Sequence, residues 1–482
     1  MFGLDKFISD LIKVPVEQIT LILTILFVFP FCIINYYIKG YYPRLLYSLI
    51  LGILFQYSIY GTGTIHILLS TIGTYLFIQF YGRKLSAFYV MIGTIFYLSF
   101  LHVKRMIYDY GGWTIDDVTT IYMMTICKFS SLAFSYEDGG KPISELKNAH
   151  HKEYRLENKP SFLEVISFVY FYPTSIIGPS IEFKDFINFI KEEDCYANLK
   201  ENKSLIIKTS IKYLLFSFIT MFIYAFIGPY IPIRIMGEPE FGNYNMLYKI
   251  VYLYFVFPCI RAKYYSGWLI SYSTLILNGI AYTETKNKEG NIVKSFDKGD
   301  YGSIISSEFE PNAKYKLIYW NKTIHLWLKY NIYTRTINIK RKPFENNFQL
   351  ASLLTFIGSA IWHGYYPTYY FTFLMLYFIQ FGNDALDKTG FYEDKVEKSI
   401  ILTIIMSFIC QISIDGIGVP FFNLEFKLFI QYLINMRFFP LFMAFGYYSL
   451  RYMNLPKKQT SSKKGEKKDE KKEIKTDNKK NN

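Results

Sequence analysis

Long apolar stretches alternate with short polar segments along most of this 482-residue chain. A helix needs roughly 20 mainly apolar residues to cross about 30 Å of hydrocarbon. Stretches of this kind occur at 19–38, 44–60, 64–81, 86–103, 117–135, 162–178, 205–233, 244–260, 264–281, 317–335, 349–381, 399–418 and 428–450. Allowing for re-entrant and half-buried stretches, the pattern predicts an all-α, polytopic membrane protein with about ten to twelve transmembrane helices.

Three polar segments interrupt this apolar body. Residues 136–160 and 282–316 are charged and rich in turn-forming residues, as expected of loops outside a membrane. Residues 182–204 have the pattern of an amphipathic or surface helix between spans. The two halves of the chain show no internal repeat and no matching pair of interrupted helices, which many secondary transporters have. A transporter is therefore the less favoured class.

The end of the chain differs in composition from residues 1–455, which we treat as one multi-spanning membrane domain. Residues 456–482 hold eleven Lys against five Asp and Glu and contribute +6 of the net charge of +14. This charge density prevents a hydrophobic core and predicts a disordered, solvated tail. Lysines after a final span favour the cytosolic side of a membrane, so nucleic acid is not predicted as a partner.

His363 stands out among the six histidines because apolar sequence flanks it on both sides. An ionisable residue at membrane depth is costly and is a functional candidate by default. Gly364 and Pro367 should break or bend the helix just beyond it, and broken backbone at this depth is tolerated only against protein or a water-filled cavity. From position alone, a purely structural histidine is the more frequent case.

Four more histidines and the cysteines give no comparable signal. His150 and His151 lie in a polar segment, where solvated side chains are expected. His66 and His102 lie near the ends of predicted spans, within reach of headgroups or water. The five cysteines are scattered without CxxC spacing, so neither a disulfide framework nor a metal site is predicted.

Asn321 is the second polar candidate within an apolar, aromatic run. Its side chain can form a hydrogen bond between helices in the bilayer. Residues 321–323 also fit the N-glycosylation sequon, although their aromatic surroundings argue against an exposed luminal loop. Residues 202–204 form the more accessible sequon.

The segments around these two residues resemble the membrane-bound O-acyltransferase family, and specifically its lysophospholipid acyltransferase branch. The segment SAIWHGYYP at 359–367 looks like that branch's S-A-x-W-H-G-x-x-P-G-Y motif, with Thr368 in place of the second Gly. Trp320-Asn321, followed by WLK at 327–329, is similar to the family's W-N-x5-W-L-[RK] segment, although the residues directly after Asn321 differ. The resemblance extends over residues 105–450 and includes three further segments: DYGGWT at 109–114, GPSIEF at 178–183 and RAKYYSGW at 261–268.

This resemblance implies a membrane-bound O-acyltransferase fold with a buried reaction chamber. It implies an acyl-CoA-dependent enzyme that transfers a fatty acyl group to the free hydroxyl of a lysophospholipid, as in phospholipid remodelling (the Lands cycle). Acyl-CoA is then a co-substrate, and no further cofactor is expected. A sterol, a diacylglycerol or a protein as acceptor is the alternative within the family, and a membrane transporter is the alternative from another class.

The resemblance also implies roles for individual residues. His363 is the expected general base, because a buried histidine tends to stay neutral and can accept the hydroxyl proton. Asn321 is expected either to stabilise the charge that develops on the thioester oxygen or to orient the His363 ring. Six further residues are expected to line the acyl-CoA or lipid site, with ordinary packing as the alternative: Lys263, Tyr264, Tyr265, Trp268, Trp320 and Trp362. Arg261, Lys263 and Lys329 are candidates to meet the CoA phosphates, with interfacial anchoring as the alternative.

The sequence DNKKNN at 477–482 places Lys479 and Lys480 third and fourth from the end. Such a pair looks like the dilysine signal that returns membrane proteins to the endoplasmic reticulum, so coat-protein recognition is a candidate interaction. A lysine-rich tail also produces such a pair by chance. Together with the basic tail and the family resemblance, it predicts a multi-pass protein of the endoplasmic reticulum membrane with a cytosolic C-terminus.

Overall fold

A computed structural model describes residues 4–12, 14–112, 117–453 and 455 of the protein. The described residues fold mainly into helices, which are in chain order α1 (Leu4–Ile12), α2 (Val16–Ile34), α3 (Tyr41–Tyr60), α4 (Thr64–Tyr108), α5 (Val118–Asp138), α6 (Ala149–Tyr154), α7 (Phe162–Val169), α8 (Phe183–Lys191), α9 (Lys203–Phe222), α10 (Met246–Asn278), α11 (Ile304–Phe309), α12 (Ala313–Tyr319), α13 (Lys322–Leu328), α14 (Thr334–Ile337), α15 (Phe348–His363), α16 (Pro367–Lys388), α17 (Ile400–Phe422), α18 (Phe426–Asn435) and α19 (Phe439–Ser449). Two short strands, β1 (Thr283–Lys286) and β2 (Ile292–Ser295), form an antiparallel hairpin within the predicted polar segment 282–316. The all-α prediction is confirmed apart from this hairpin.

Among the described residues, four helical stretches are long and apolar enough to cross a membrane: Val16–Tyr37, Tyr41–Tyr108, Asp194–Tyr230 and Ile400–Phe422. The pair α18 and α19, bent by 77°, adds a fifth if it is one broken span. Other long helices carry buried polar residues that lower their apolar character, such as Arg261 in α10 and Asn383 in α16. These criteria give fewer spans than the sequence pattern, and the total of ten to twelve crossings stays a prediction.

Helix α4 contains two antiparallel halves. Gly82, at φ 58° and ψ −143°, leaves the helical conformation in the middle of its 45 residues. The two halves then run side by side, since the Tyr81 and Tyr89 rings stack at 4.0 Å and His66 Nδ1 lies 2.7 Å from the Tyr97 hydroxyl. The stretch Tyr41–Tyr108 therefore supplies more than one pass.

Two predicted spans are not single crossing helices. Helix α7, within the stretch 162–178, has eight residues and rises only about 12 Å, too little for hydrocarbon about 30 Å thick. The stretch 317–335 is divided at Asn321, whose left-handed φ of 50° separates α12 from α13. These two stretches are among those for which the sequence prediction allowed re-entrant or half-buried structure, because apolar composition is found in segments buried in protein as well as in segments buried in lipid.

Lys128 ties α5 to the chain that surrounds α7. Its Nζ donates to the Phe168 carbonyl at 3.2 Å, the Val169 carbonyl at 2.9 Å and Thr174 Oγ1 at 2.7 Å. The side chain is only 2% exposed. Its charge is balanced by the carbonyl end of α7, where the helix dipole favours a cation.

The long polar connections gather at one end of the helices. Four contacts join them: Arg83 Nη1 to the Leu156 carbonyl, Lys184 Nζ to the Glu153 carbonyl, Lys298 Nζ to Asp185 and Arg335 Nη2 to Asp138. We call the end formed by residues 139–161, 182–203, 279–316 and 338–347 the basic end, because each of these segments carries several Lys or Arg. At the opposite end, the Gly111 amide donates to the Tyr366 hydroxyl and Arg234 pairs with Glu425.

Candidate active site

A cavity of about 1180 Å³ lies among α10, α12, α13, α15, α16 and α17. His363 and Asn321, the two strongest candidates from the sequence, both lie in its wall although 42 positions separate them in the chain. The cavity exceeds the range of about 300–1000 Å³ typical of small-molecule sites. It therefore offers room for a long, flexible ligand.

Aromatic rings hold His363 at the C-terminal end of α15. Gly364, at φ 128°, ends the helix directly after it. The imidazole stacks on Phe373 with ring centroids 5.3 Å apart, and the Trp362 and Phe421 rings meet it edge-on at 4.7 and 4.8 Å. Within the described part of the chain, the imidazole makes no hydrogen bond to protein. Its nitrogens are therefore not occupied by a protein partner when a ligand enters.

Asn321 lies at the turn between α12 and α13. Its left-handed φ of 50° is a conformation that asparagine adopts more readily than most residues. Its carbonyl accepts hydrogen bonds from the Ile324 and His325 amides, both at 3.1 Å, which starts α13. The side-chain Oδ1 lies 3.4 Å from Thr323 Oγ1, and no hydrogen bond joins Asn321 to His363.

Most of the predicted wall residues do line the cavity. Trp320 packs against Trp268 with ring centroids 4.8 Å apart and against Tyr264 at 5.9 Å. These three rings and Trp362 all line the cavity. The indole of Trp362 donates to the Met123 carbonyl at 2.8 Å, which fixes the ring beside His363.

Two predicted wall residues lie elsewhere. Tyr265 is buried behind the wall, where its hydroxyl donates to Glu308 Oε1 at 2.8 Å. Lys263 places its Nζ 5.7 Å from the centre of the Tyr224 ring and is not among the cavity-lining residues. Adjacent positions on a helix point in different directions, so a contiguous motif such as RAKYYSGW cannot present every side chain to one cavity.

Arg261 lines the cavity from within a buried ionic network. Its guanidinium binds Glu308 through Nε at 2.7 Å and Nη2 at 2.6 Å, and Nη1 binds Asp415 at 2.5 Å. The side chains of Arg261, Glu308 and Asp415 are 8%, 12% and 0% exposed. The network joins α10, α11 and α17 around the cavity, and it already balances the charge of Arg261.

Basic residues line the cavity toward the basic end. Lys342 lies in the segment 338–347, and Lys329, which the sequence proposed as a phosphate contact, also lines the cavity. The lining cations toward this end include Lys314, Lys329, Lys342, Lys388 and Arg451, with Glu345 and Asp384 among them. Lys316 also lines the cavity, and its Nζ donates to the Glu308 carbonyl at 2.7 Å. An anionic ligand group is therefore best accommodated here, away from the aromatic surroundings of His363.

Sequence reasoning missed two histidines near the site. His102, fully buried, places Nε2 3.1 Å from the Trp362 carbonyl, and its partnerless Nδ1 faces Gly364. No local signal reveals it, because its partner is 260 positions away. His325 lines the cavity one helical turn after Asn321, and the spacing of four residues on one helix face was the signal that could have found it.

His151 is not a solvated loop residue as predicted. It is 8% exposed, and its Nε2 lies 2.9 Å from the Tyr330 carbonyl. Burial, reinforced by the positive charge of Arg335, lowers the pKa of His151 to about 4. The residue therefore stays neutral at physiological pH and acts in packing at the basic end.

The sequence model of the membrane-bound O-acyltransferase family matches residues 105–389, which include Asn321, His363 and most of the cavity wall. The chain belongs to the membrane-bound O-acyltransferase family. This membership confirms the predicted family, and together with the apolar helices it makes the chain a multi-pass membrane protein.

Several relatives share long regions with this chain. It is 30% identical over 340 residues to Lysophospholipid acyltransferase 6 of Drosophila melanogaster, covering 68% of this chain and 45% of the relative. It is 26% identical over 387 residues to the Lysophospholipid acyltransferase of Schizosaccharomyces pombe, covering 78% and 73%. It is 25% identical over 444 residues to Membrane-bound glycerophospholipid O-acyltransferase 2 of Homo sapiens, covering 87% and 82%. The chain thus spans less than half the length of the Drosophila relative.

Proposed function

We propose that this chain is a lysophospholipid acyltransferase that moves a fatty acyl group from acyl-CoA to the free hydroxyl of a lysophospholipid. The observation that carries the proposal is one cavity with a histidine and an asparagine in its wall, aromatic rings around the histidine and cations at one end. The names of the relatives from fly, fission yeast and human support glycerophospholipid chemistry.

The proposed reaction starts when the lysophospholipid hydroxyl attacks the thioester carbonyl carbon of acyl-CoA. His363 takes the hydroxyl proton as the new C–O ester bond forms, a contribution of about 10²–10⁴ in rate. The C–S bond then breaks, and the proton passes to the sulfur of the departing CoA. No carboxylate hydrogen-bonds to His363 in the described residues, so in this proposal aromatic packing alone orients the base.

Asn321 acts in this proposal as a donor to the thioester oxygen. A preorganised amide donor stabilises the negative charge that develops there. The alternative role, orienting the His363 ring, needs a hydrogen bond between the two side chains, and the structure has none. The donor role is therefore the better supported of the two.

The shape of the cavity suggests how the substrates are placed. The CoA phosphates lie among Lys314, Lys329, Lys342, Lys388 and Arg451, and the acyl chain lies among the aromatic residues. Lysine and arginine are the usual partners of phosphate oxygens. Arg261 is not assigned to CoA, because Glu308 and Asp415 already bind its guanidinium.

The proposal is tested by incubating the purified chain with radiolabelled acyl-CoA and a panel of acceptors. The panel contains lysophospholipids with different headgroups, a sterol and a diacylglycerol, and the His363→Ala variant serves as the control preparation. Labelled phospholipid is expected from one or more lysophospholipids and not from the control. If the label is found only in a sterol ester or in triacylglycerol, the acceptor is a sterol or a diacylglycerol, and the proposed lysophospholipid acceptor is wrong.

Replacing Asn321 with Ala should lower acyl transfer by about 10²–10³ in turnover, because the oxyanion loses its donor. The electrophoretic mobility should not change, since we expect no glycan at Asn321. Asn202→Ala is the matched control, because it removes the other sequon; the sequence predicted that sequon to be the more accessible one, but Asn202 is only 7% exposed in the structure. A glycosidase-sensitive band that Asn321→Ala abolishes would place this residue outside the membrane and outside the mechanism.

We further propose that the basic end faces the cytosol and that the protein resides in the endoplasmic reticulum membrane. Cytosolic segments of membrane proteins are enriched in Lys and Arg. The connections at the opposite end, at residues 109–112, 223–245, 364–366 and 423–438, contain only Arg234, Lys427 and Arg437. Helix α19 ends close to Arg451, which lines the cavity with Lys388, so the last described residues lie toward the basic end, which supports a cytosolic C-terminus.

A C-terminal tag on the full chain should be digested by protease in intact microsomes if the tail is cytosolic. Lys479 and Lys480 lie outside the described residues. They should keep the protein in the endoplasmic reticulum if coat proteins bind them. Replacing both with Ser is then expected to let part of the protein reach later compartments, seen as a changed distribution in fractionated membranes. Protection of the tag would contradict both the orientation and the retrieval signal.

A further inference from the structure

A second, smaller cavity of about 250 Å³ lies at the basic end, apart from the reaction cavity. Three parts of the chain form this cavity: the connection between α2 and α3, the C-terminal end of α10, and the segment that follows α8. None of its described lining residues also lines the reaction cavity. No step of the proposed acyl transfer involves this smaller cavity.

The walls of this cavity hold a buried cation. Arg44 is 3% exposed, and its guanidinium lies 5.0 Å from the centre of the Phe189 ring. Its Nη1 lies 3.1 Å from Glu192 Oε1, and its Nε is buried without a hydrogen-bond partner. Lys200 adds a second, exposed positive charge at the wall. The cavity therefore carries more positive than negative charge.

Two buried amides face the same cavity. Asn35 and Asn278 are 2% and 0% exposed, and the Oδ1 atom of each lacks a hydrogen-bond partner. The Nδ2 of Asn278 is already used, because it donates to the Tyr172 hydroxyl at 2.6 Å. Buried polar groups left without partners are costly, so a ligand for this cavity should supply both an anion for Arg44 and a donor for the amide oxygens.

We propose that this cavity binds a phosphate-bearing headgroup that also carries hydroxyl or ammonium donors. Phosphate oxygens fit the Arg44 guanidinium and the Lys200 ammonium, and the donors of the headgroup satisfy Asn35 and Asn278. The volume admits a headgroup and excludes an acyl chain. Tyr37 and Tyr42, 70% and 66% exposed beside it, mark the level of the membrane interface, where such rings concentrate.

The test uses the full chain in detergent and equilibrium dialysis with radiolabelled glycerol 3-phosphate, which has both a phosphate and hydroxyl donors. Saturable binding is expected. Arg44→Gln should weaken it by about tenfold or more, because a charged hydrogen bond is worth about 1.5–3 kcal/mol. Lys200→Ser should weaken it several-fold, and Lys208→Ser, an exposed lysine outside the cavity, is the matched control.

Competition experiments distinguish the two possible sources of the phosphate-bearing headgroup, a membrane lipid and a soluble compound. Displacement by phosphatidylglycerol in mixed micelles and not by phosphatidylcholine indicates an anionic membrane lipid, whereas displacement by inorganic phosphate alone indicates a soluble ligand. Absence of saturable binding, or equal binding by wild type and Lys200→Ser, would overturn the proposal. If Arg44→Gln no longer elutes as a single species in size-exclusion chromatography, the binding measured with Lys200→Ser decides whether the proposal holds. Lys200 is exposed, so its replacement should not disturb folding.

Discussion

Replacing His363 with Ala should reduce acyl transfer by at least about a hundredfold while the protein remains in the membrane at normal abundance. The reason is that His363 is the one group in the proposed mechanism that accepts the hydroxyl proton, and general-base catalysis contributes about 10²–10⁴. The measurement is turnover with saturating acyl-CoA and lysophospholipid, normalised to the amount of purified protein.

The matched control for this variant is His66→Ala. His66 is a partly buried histidine that bonds to the Tyr97 hydroxyl and does not line the reaction cavity. The same chemical change there should leave turnover near the wild-type value. A His363→Ala enzyme that keeps more than a tenth of wild-type turnover would rule out the general-base role.

Replacing Arg261 with Met should destabilise the protein by about 3–5 kcal/mol, the usual cost of leaving buried charges without their partner. Glu308 and Asp415 would both lose their guanidinium, and the three helices that they join would lose their common contact. Thermal unfolding of the purified protein in detergent should show a midpoint lower by several degrees.

Arg341→Met makes the same change at an exposed position and should leave the midpoint unchanged. A triple variant that combines Arg261→Met with Glu308→Gln and Asp415→Asn should recover part of the loss, since it removes the unpaired charges. If the triple variant is as unstable as Arg261→Met alone, packing of the arginine stem rather than charge balance explains the effect.

Local sequence patterns predicted the helical class and singled out His363 and Asn321, which the structure places in the wall of one cavity. Their catalytic roles stay predictions. His363 could be predicted because an ionisable residue followed by Gly364 and Pro367 within apolar sequence indicates a broken helix beside a cavity. The polar segment 182–204 contains a surface helix in its first half: α8 (Phe183–Lys191) buries Phe186 and Phe189, buries Asp185 as well, and leaves Lys191 exposed.

The remaining features depend on contacts between distant parts of the chain. His102 adjoins the site only because Trp362 folds against it, and Arg261 is neutralised by carboxylates at positions 308 and 415. The stretch that contains α7 has the apolar composition of a span, yet protein rather than lipid surrounds much of the helix. A local sequence pattern shows that a residue is buried away from water. It does not show whether protein or lipid surrounds that residue.

The contacts of Lys128 affect how the protein can be assembled during synthesis. An unpaired lysine near the centre of a transmembrane helix costs about 2.5–3.5 kcal/mol on insertion into the membrane. The oxygen atoms that bind Lys128 lie 40 to 46 positions later in the chain, so Lys128 gains these partners only when the chain around α7 has folded against α5. The stability of α5 in its final position therefore depends on residues up to Thr174, which couples the folding of two consecutive parts of the chain.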